Sequence, residues 1–136
     1  MDTVLERWRA RYLPGDFPFD FTIESVSALE PLVLERFDDP RSVRADDEFV
    51  QGAVRYLGEA TLRAWPSRWA FLGWRPYDDL PVIRSNTPDA FEEIAAPLHV
   101  LKLFVSEPEP GGLGYNTGVI EDAVDRYQKA LRAGTR

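Results

Sequence analysis

Between residues 46 and 75 the hydrophobic pattern changes period, and the change separates a helix from a strand. Phe49, Ala53, Tyr56, Leu57, Ala60 and Ala64 recur at three- and four-residue steps, the spacing that lines one face of an α-helix. From 68 to 75 the residues alternate instead, with Trp69, Phe71 and Gly73 on one side and Ala70, Leu72 and Trp74 on the other. Pro66 divides the two patterns, because proline cannot continue a helix. The alternation predicts that Trp69 and Phe71 are buried together and anchor the sheet onto this helix. Gly52 and Gly58 each cost roughly 1 kcal/mol against alanine in a helix, which predicts close approach of another element at both positions.

The remaining elements follow from the same periods. A helix over 3–12 places Leu5, Trp8 and Tyr12 on one face, opens on a Thr3/Glu6 capping box and stops at Pro14-Gly15. Residues 16–21 are aromatic and extended. A second helix over 22–37 carries Ile23, Val26, Leu29, Val33 and Phe37, with Pro31 predicting a kink or a break. The third spans 46–65, its acidic start Asp46, Asp47 and Glu48 suiting the helix dipole. Pro76-Tyr77-Asp78-Asp79 reads as a turn, 81–84 as a second strand and 85–89 as another turn, while 90–95 fits either a third strand or a helix start. Pro97 opens a fourth helix running to about 106, residues 107–114 form a Gly- and Pro-rich loop, the stretch 107–117 is expected to be mobile and dispensable for folding, and 118–133 is the last helix. The predicted architecture is α+β: about five helices with a small two- or three-stranded antiparallel meander, a single layer of helices packed on the sheet, and one globular domain over residues 1–136.

Composition narrows the function classes. There is no cysteine, which excludes disulfides and thiolate chemistry and fits a reducing cytoplasm. No apolar run reaches the length of a membrane span, and the N-terminus lacks signal-peptide character. The net charge of −7 argues against nucleic acid, whose binders neutralise phosphate with basic stripes. It permits a basic protein partner, though plain solubility is the preferred explanation of a charge of this size. Of 16 basic residues only Lys102 and Lys129 are lysine, a bias that fits a GC-rich bacterial genome.

Several segments resemble a group of small uncharacterised bacterial proteins. They are Phe21-Thr22-Ile23-Glu24-Ser25-Val26, Leu29-Glu30, Tyr56-Leu57-Gly58-Glu59, Arg63, Trp69, Leu80-Pro81-Val82 and Ala96-Pro97-Leu98. The shared pattern is a Y-x-G-E helix, a tryptophan strand and an L-P-V turn, over roughly residues 20–105. This domain of unknown function implies the one-domain reading and carries no assigned activity.

Candidate chemistry centres on Tyr56, Glu59, Arg63, Trp65, Trp69 and Trp74. Glu59 and Arg63 lie at i, i+4 on one helix face, so three readings stand: a surface ion pair, a carboxylate accepting from an indole or backbone amide, or a partly buried acid–base group among Trp65 and Trp69. The structural acceptor is the preferred one. His99, the only histidine, sits in an apolar stretch without a nucleophile beside it. The acidic pairs, such as Asp38-Asp39, Asp78-Asp79 and Glu92-Glu93, are adjacent residues whose side chains diverge, which fits turns and helix starts. The glycines before the last helix could cradle phosphate, but Glu121 and Asp122 would repel an anion there. Neither a cofactor fingerprint nor a metal-ligand set is present. The leading reading is therefore a non-enzymatic binding or accessory protein, possibly neutralising a basic protein. The alternatives are a small-molecule binder using an aromatic pocket and an enzyme of unknown reaction centred on Glu59.

Overall fold

A computed structural model of the chain describes residues 3–75 and 80–134. Its axis is helix α3 (Glu48–Ala64). The Asp47 side chain caps this helix by accepting from the Val50 amide at 3.1 Å, and the helix ends at Trp65, one residue before Pro66. Its two interior glycines are notches. A Cβ on Gly52 would fall 2.1 Å from the Trp8 ring, and one on Gly58 would fall 2.1 Å from the Trp69 ring. Both expected close approaches are present, and each is made by a tryptophan.

Around α3 gather α1 (Thr3–Tyr12), α2 (Ile23–Arg36) and α4 (Pro97–Ser106). Leu5 and Trp8 of α1, Leu29 and Val33 of α2, Leu57 of α3 and Leu101 of α4 share one buried cluster. On another side lies an antiparallel sheet, β1 (Ser67–Ala70), β2 (Val82–Ser85) and β3 (Ile94–Ala95), in that order. Its register sets Trp69 opposite Ile83 and Ile83 opposite Ala95. Helix α5 (Tyr115–Gly134) covers it, with Ile120 against Ile83 and Ala95 in a second, smaller core. The five helices and three antiparallel strands make an α+β fold, and residues 90–95 divide between a 3-10 turn at Asp89–Phe91 and the short β3.

Four expectations change. Strand β1 stops at Ala70, where its last partner is Val82. Alternation places side chains only while a strand continues, so Phe71 escapes the core and is 72% exposed, while Trp69 is half-buried. Pro31 does not break α2. Pro31 and Ser27 are both exposed, so the carbonyl that proline leaves without a donor lies on the solvent side of the helix. Helix α5 begins at Tyr115, not 118, because Asn116 and Thr117 are buried and tied to α3: Asn116 Nδ2 donates to Thr61 Oγ1 at 2.7 Å, and the two threonine hydroxyls lie 3.2 Å apart.

The fourth change concerns the Gly- and Pro-rich loop, which is seated on the fold. Leu113 is fully buried and Gly112 lies on the Phe104 ring. The turn expected at 76–79, with its Asp78-Asp79 pair, lies outside the described residues.

Candidate functional site

The Tyr56 ring is fully buried on α3, between Trp8, Phe17, Phe19 and Phe21. It stacks on Phe21 at 4.7 Å, with 19° between the rings. Its hydroxyl accepts from the Phe21 amide at 3.0 Å and lies 2.6 Å from Ser25 Oγ. Phe21 is the one non-glycine described residue with positive φ, at 61°. A bulky residue is strained there, and the Tyr56 hydrogen bond together with the ring stack holds it. Burial raises the Tyr56 pKa, against the lowering effect of its hydrogen bonds to Ser25 and Phe21. The phenol therefore stays protonated at neutral pH. Next to Phe21, Asp20 accepts from the Thr22 amide and hydroxyl, and Thr22 in turn caps α2 through the Ser25 amide at 3.2 Å. Those Thr22 bonds hold the Asp20 carboxyl below its ordinary range.

The structure separates the rest of the expected constellation. Arg63 does not pair with Glu59. Its guanidinium sits over the Phe21 ring at 3.9 Å, a cation–π contact. Glu59 is half-buried, and the Trp69 indole nitrogen, buried without a partner in the protein, does not donate to it. Trp65 is partly buried against the second core, Trp69 bridges both cores, and Trp74 is exposed beyond the end of β1. Tyr56 and Arg63 thus converge on Phe21, whereas Glu59 and Trp74 stand apart from them.

Sequence reasoning missed Glu30. Its side chain is buried on α2 and takes two loop amides, Gly111 N to Oε1 and Leu113 N to Oε2, both at 3.1 Å. The glycine loop does bind an anionic group through free amides, and that group is the protein's own carboxylate. One signal was available: Glu30 lies within the inward stripe of Val26, Leu29 and Val33, where a charged residue needs a partner. Glu92 was passed over in the same way. It bridges Arg84 of β2 and Arg68 of β1, which holds its pKa below the ordinary value, with the Arg84 hydrogen bond the largest cause.

Other acids serve locally. Asp39 binds the Arg41 guanidinium at 2.8 Å, and Arg126 joins Glu93 and Asp122. Among the described residues no group of three His, Cys, Asp or Glu side chains could hold a metal ion, and no helix is long and apolar enough to cross a membrane. His99 is half-buried on α4 beside Leu103 and Tyr115, and burial, then the nearby Lys102, lowers its pKa.

Two surfaces remain with binding character. The first is the connection after β1, where Phe71 and Trp74 are 72% and 53% exposed and Gly73 turns the chain at φ 74°. The second is an apolar pocket of about 350 Å³ between α1, α3, β1 and α4. Trp69, Leu80, Val54 and Leu98 wall it, with Gln51 and Arg55 at its polar side. Comparison with protein-family models, curated proteins and solved structures finds no match to this chain.

Proposed function

We propose that the protein is a non-enzymatic binding protein that docks a protein partner on the connection following β1. One observation carries this reading: Phe71 and Trp74 are displayed to solvent on a short segment whose base is fixed by the sheet. Trp is favoured at interface hot spots because it gives a large rigid contact at small entropic cost. Leaving two large aromatic rings in water contributes nothing to folding, and covering them with a partner yields a hydrophobic gain. The acidic balance of the chain, −7, suits a partner that is basic around an apolar centre, with charge steering the encounter. The source and compartment we propose are bacterial and cytoplasmic.

Affinity capture from the source cell tests this. Wild-type protein is expected to retain a basic protein in stoichiometric amount, less of it at high salt, and the double variant Phe71→Ser, Trp74→Ser is expected to lose it. Absence of a partner at every salt concentration, or equal capture by the double variant, would overturn the reading.

A second reading, a small-molecule binder, is favoured by the pocket behind Trp69. Its volume of about 350 Å³ falls at the lower end of the range for ligand sites.

A further inference from the structure

We propose that the groove between α2 and the loop over residues 107–114 binds an alkylammonium group, the head of a lysine side chain or of a free primary amine. The groove shares no lining residue with the pocket behind Trp69 and none with the connection after β1, so it stands or falls without either. Its walls are complete among the described residues. Pro31 and Leu34 of α2, Phe104 of α4 and the loop prolines Pro108 and Pro110 line it with hydrocarbon. Its volume of about 260 Å³ is smaller than a usual ligand site and suits one long, thin chain. The stem of a lysine or an alkyl amine covers apolar surface of this kind while its charged head stays at a polar group.

Charge sets the head of the ligand. Both charged residues in the lining are acidic, Glu30 and Glu109. Glu30 is 8% exposed, and its carboxylate is met by two neutral donors, the Gly111 amide on Oε1 and the Leu113 amide on Oε2. Among the described residues no cation pairs with it or with Glu109. A buried carboxylate is ordinarily paired or bound to a metal, because a charge without a counter-ion is costly in a low-dielectric site. A positive ligand in the groove supplies that counter-ion. A carboxylate offers about four lone-pair sites, and the amides leave a free site on each oxygen. An ammonium is a point charge with rotatable donors and can use one such site, whereas a guanidinium fork needs both oxygens clear in one plane. Calcium and magnesium need a shell of oxygens, which these hydrocarbon walls do not give. The net charge of −7 draws a cation toward the protein.

The test uses the whole protein and three probes of one size: n-butylammonium, n-butanol and butyrate. Titration followed by ¹H–¹⁵N spectra is expected to show saturable shifts of the Gly111 and Leu113 amides with butylammonium, about tenfold weaker binding of butanol and none of butyrate. Binding is expected to weaken as salt rises. Glu109 is exposed and its carboxylate makes no hydrogen bond among the described residues, so Glu109→Gln keeps the fold. That variant is expected to weaken butylammonium about threefold, and Glu30→Gln, in protein whose spectrum shows it folded, about tenfold. A peptide with one lysine, acetyl-Gly-Lys-Gly-amide, and its Nε-acetylated form separate the two sources. Saturation by the first and not the second assigns a lysine side chain, and saturation by butylammonium alone assigns a free amine. Butanol or butyrate binding as tightly as butylammonium would overturn the ammonium assignment. No saturable binding of butylammonium, unmoved Gly111 and Leu113 amides, or binding unchanged in both variants would overturn the site. The protein-partner reading is judged separately, by the Phe71 and Trp74 variants.

Discussion

The loop from 107 to 114, which closes in a 3-10 turn at Gly112–Gly114, and the connection from 71 to 75 both lie outside the α-helices and the sheet, and each contains a glycine at positive φ, Gly111 at 84° and Gly73 at 74°. By composition the first is the looser, being rich in Gly and Pro, while the second carries Phe71, Leu72 and Trp74. The fold reverses that order of attachment. The glycine loop is pinned by a buried carboxylate and a buried leucine, and the aromatic connection is turned to solvent. What seats a loop is a partner for its backbone amides, more than the hydrophobicity of its side chains. Glu30 supplies that partner to one loop. Among the described residues, the ladder on the other side ends at the Ala70–Val82 pair.

The sharpest way to break this contrast is to remove the carboxylate. Glu30→Ala leaves the part-buried Gly111 amide and the buried Leu113 amide without an acceptor, at about 1–3 kcal/mol for a buried group and less for the part-buried one. A total loss of about 2–4 kcal/mol is expected in denaturant melts, with new proteolytic cleavage between 107 and 114. Glu30→Gln keeps one acceptor oxygen and is expected to lose about half as much. A loss below about 0.5 kcal/mol for Glu30→Ala, the range of ordinary surface changes, would show that the loop is held by Leu113 alone.

The same contrast marks what was legible in the sequence. Helical periods and stop signals located all five helices, because a 3.6-residue repeat and a proline act over a few neighbours. The notches at Gly52 and Gly58 were legible as a cost needing a reason, though not as seats for Trp8 and Trp69. Phe71 was misplaced because alternation does not announce where a strand loses its partner. The Glu30 contact joins residues 81 and 83 positions apart, and no local pattern encodes such a pairing. The Glu59–Arg63 spacing was correct for a pair, yet an aromatic ring offered Arg63 a different seat. Of the candidate site, then, the tyrosine and tryptophans were visible as residues, while the pocket and the exposed segment arise only from the three-dimensional arrangement.

A smaller effect sharpens the division between the tied strands β1 and β2 and the exposed segment from 71 to 75. Glu92 holds Arg68 and Arg84 across β1 and β2, and its folded pKa lies below the ordinary glutamate value of 4.5. A carboxyl lowered in this way stabilises the fold above its unfolded pKa, and that contribution disappears as pH falls through the folded value. Acid below about pH 4.5 is therefore expected to weaken the wild type, with Asp20 and Asp39 contributing in the same direction. Glu92→Gln is expected to cost about 1 kcal/mol or less at neutral pH and to flatten the acid limb of stability against pH. An unchanged acid limb would show that the two arginines do not tie β1 and β2 through Glu92.

In the exposed segment the expected effect on stability is the smallest. Phe71 at 72% and Trp74 at 53% exposure have little burial to lose, so Phe71→Ser with Trp74→Ser should change unfolding free energy by no more than about 0.5 kcal/mol per site. The near-zero value is informative because the same substitutions at buried aromatic positions cost about 3–5 kcal/mol when the ring is removed. A loss above about 2 kcal/mol would place these rings in the core, and the comparison between a seated loop and a free one would collapse. If stability holds while partner capture is lost, the two rings are kept for contact with another molecule, and the segment's exposure is the functional counterpart of the glycine loop's attachment.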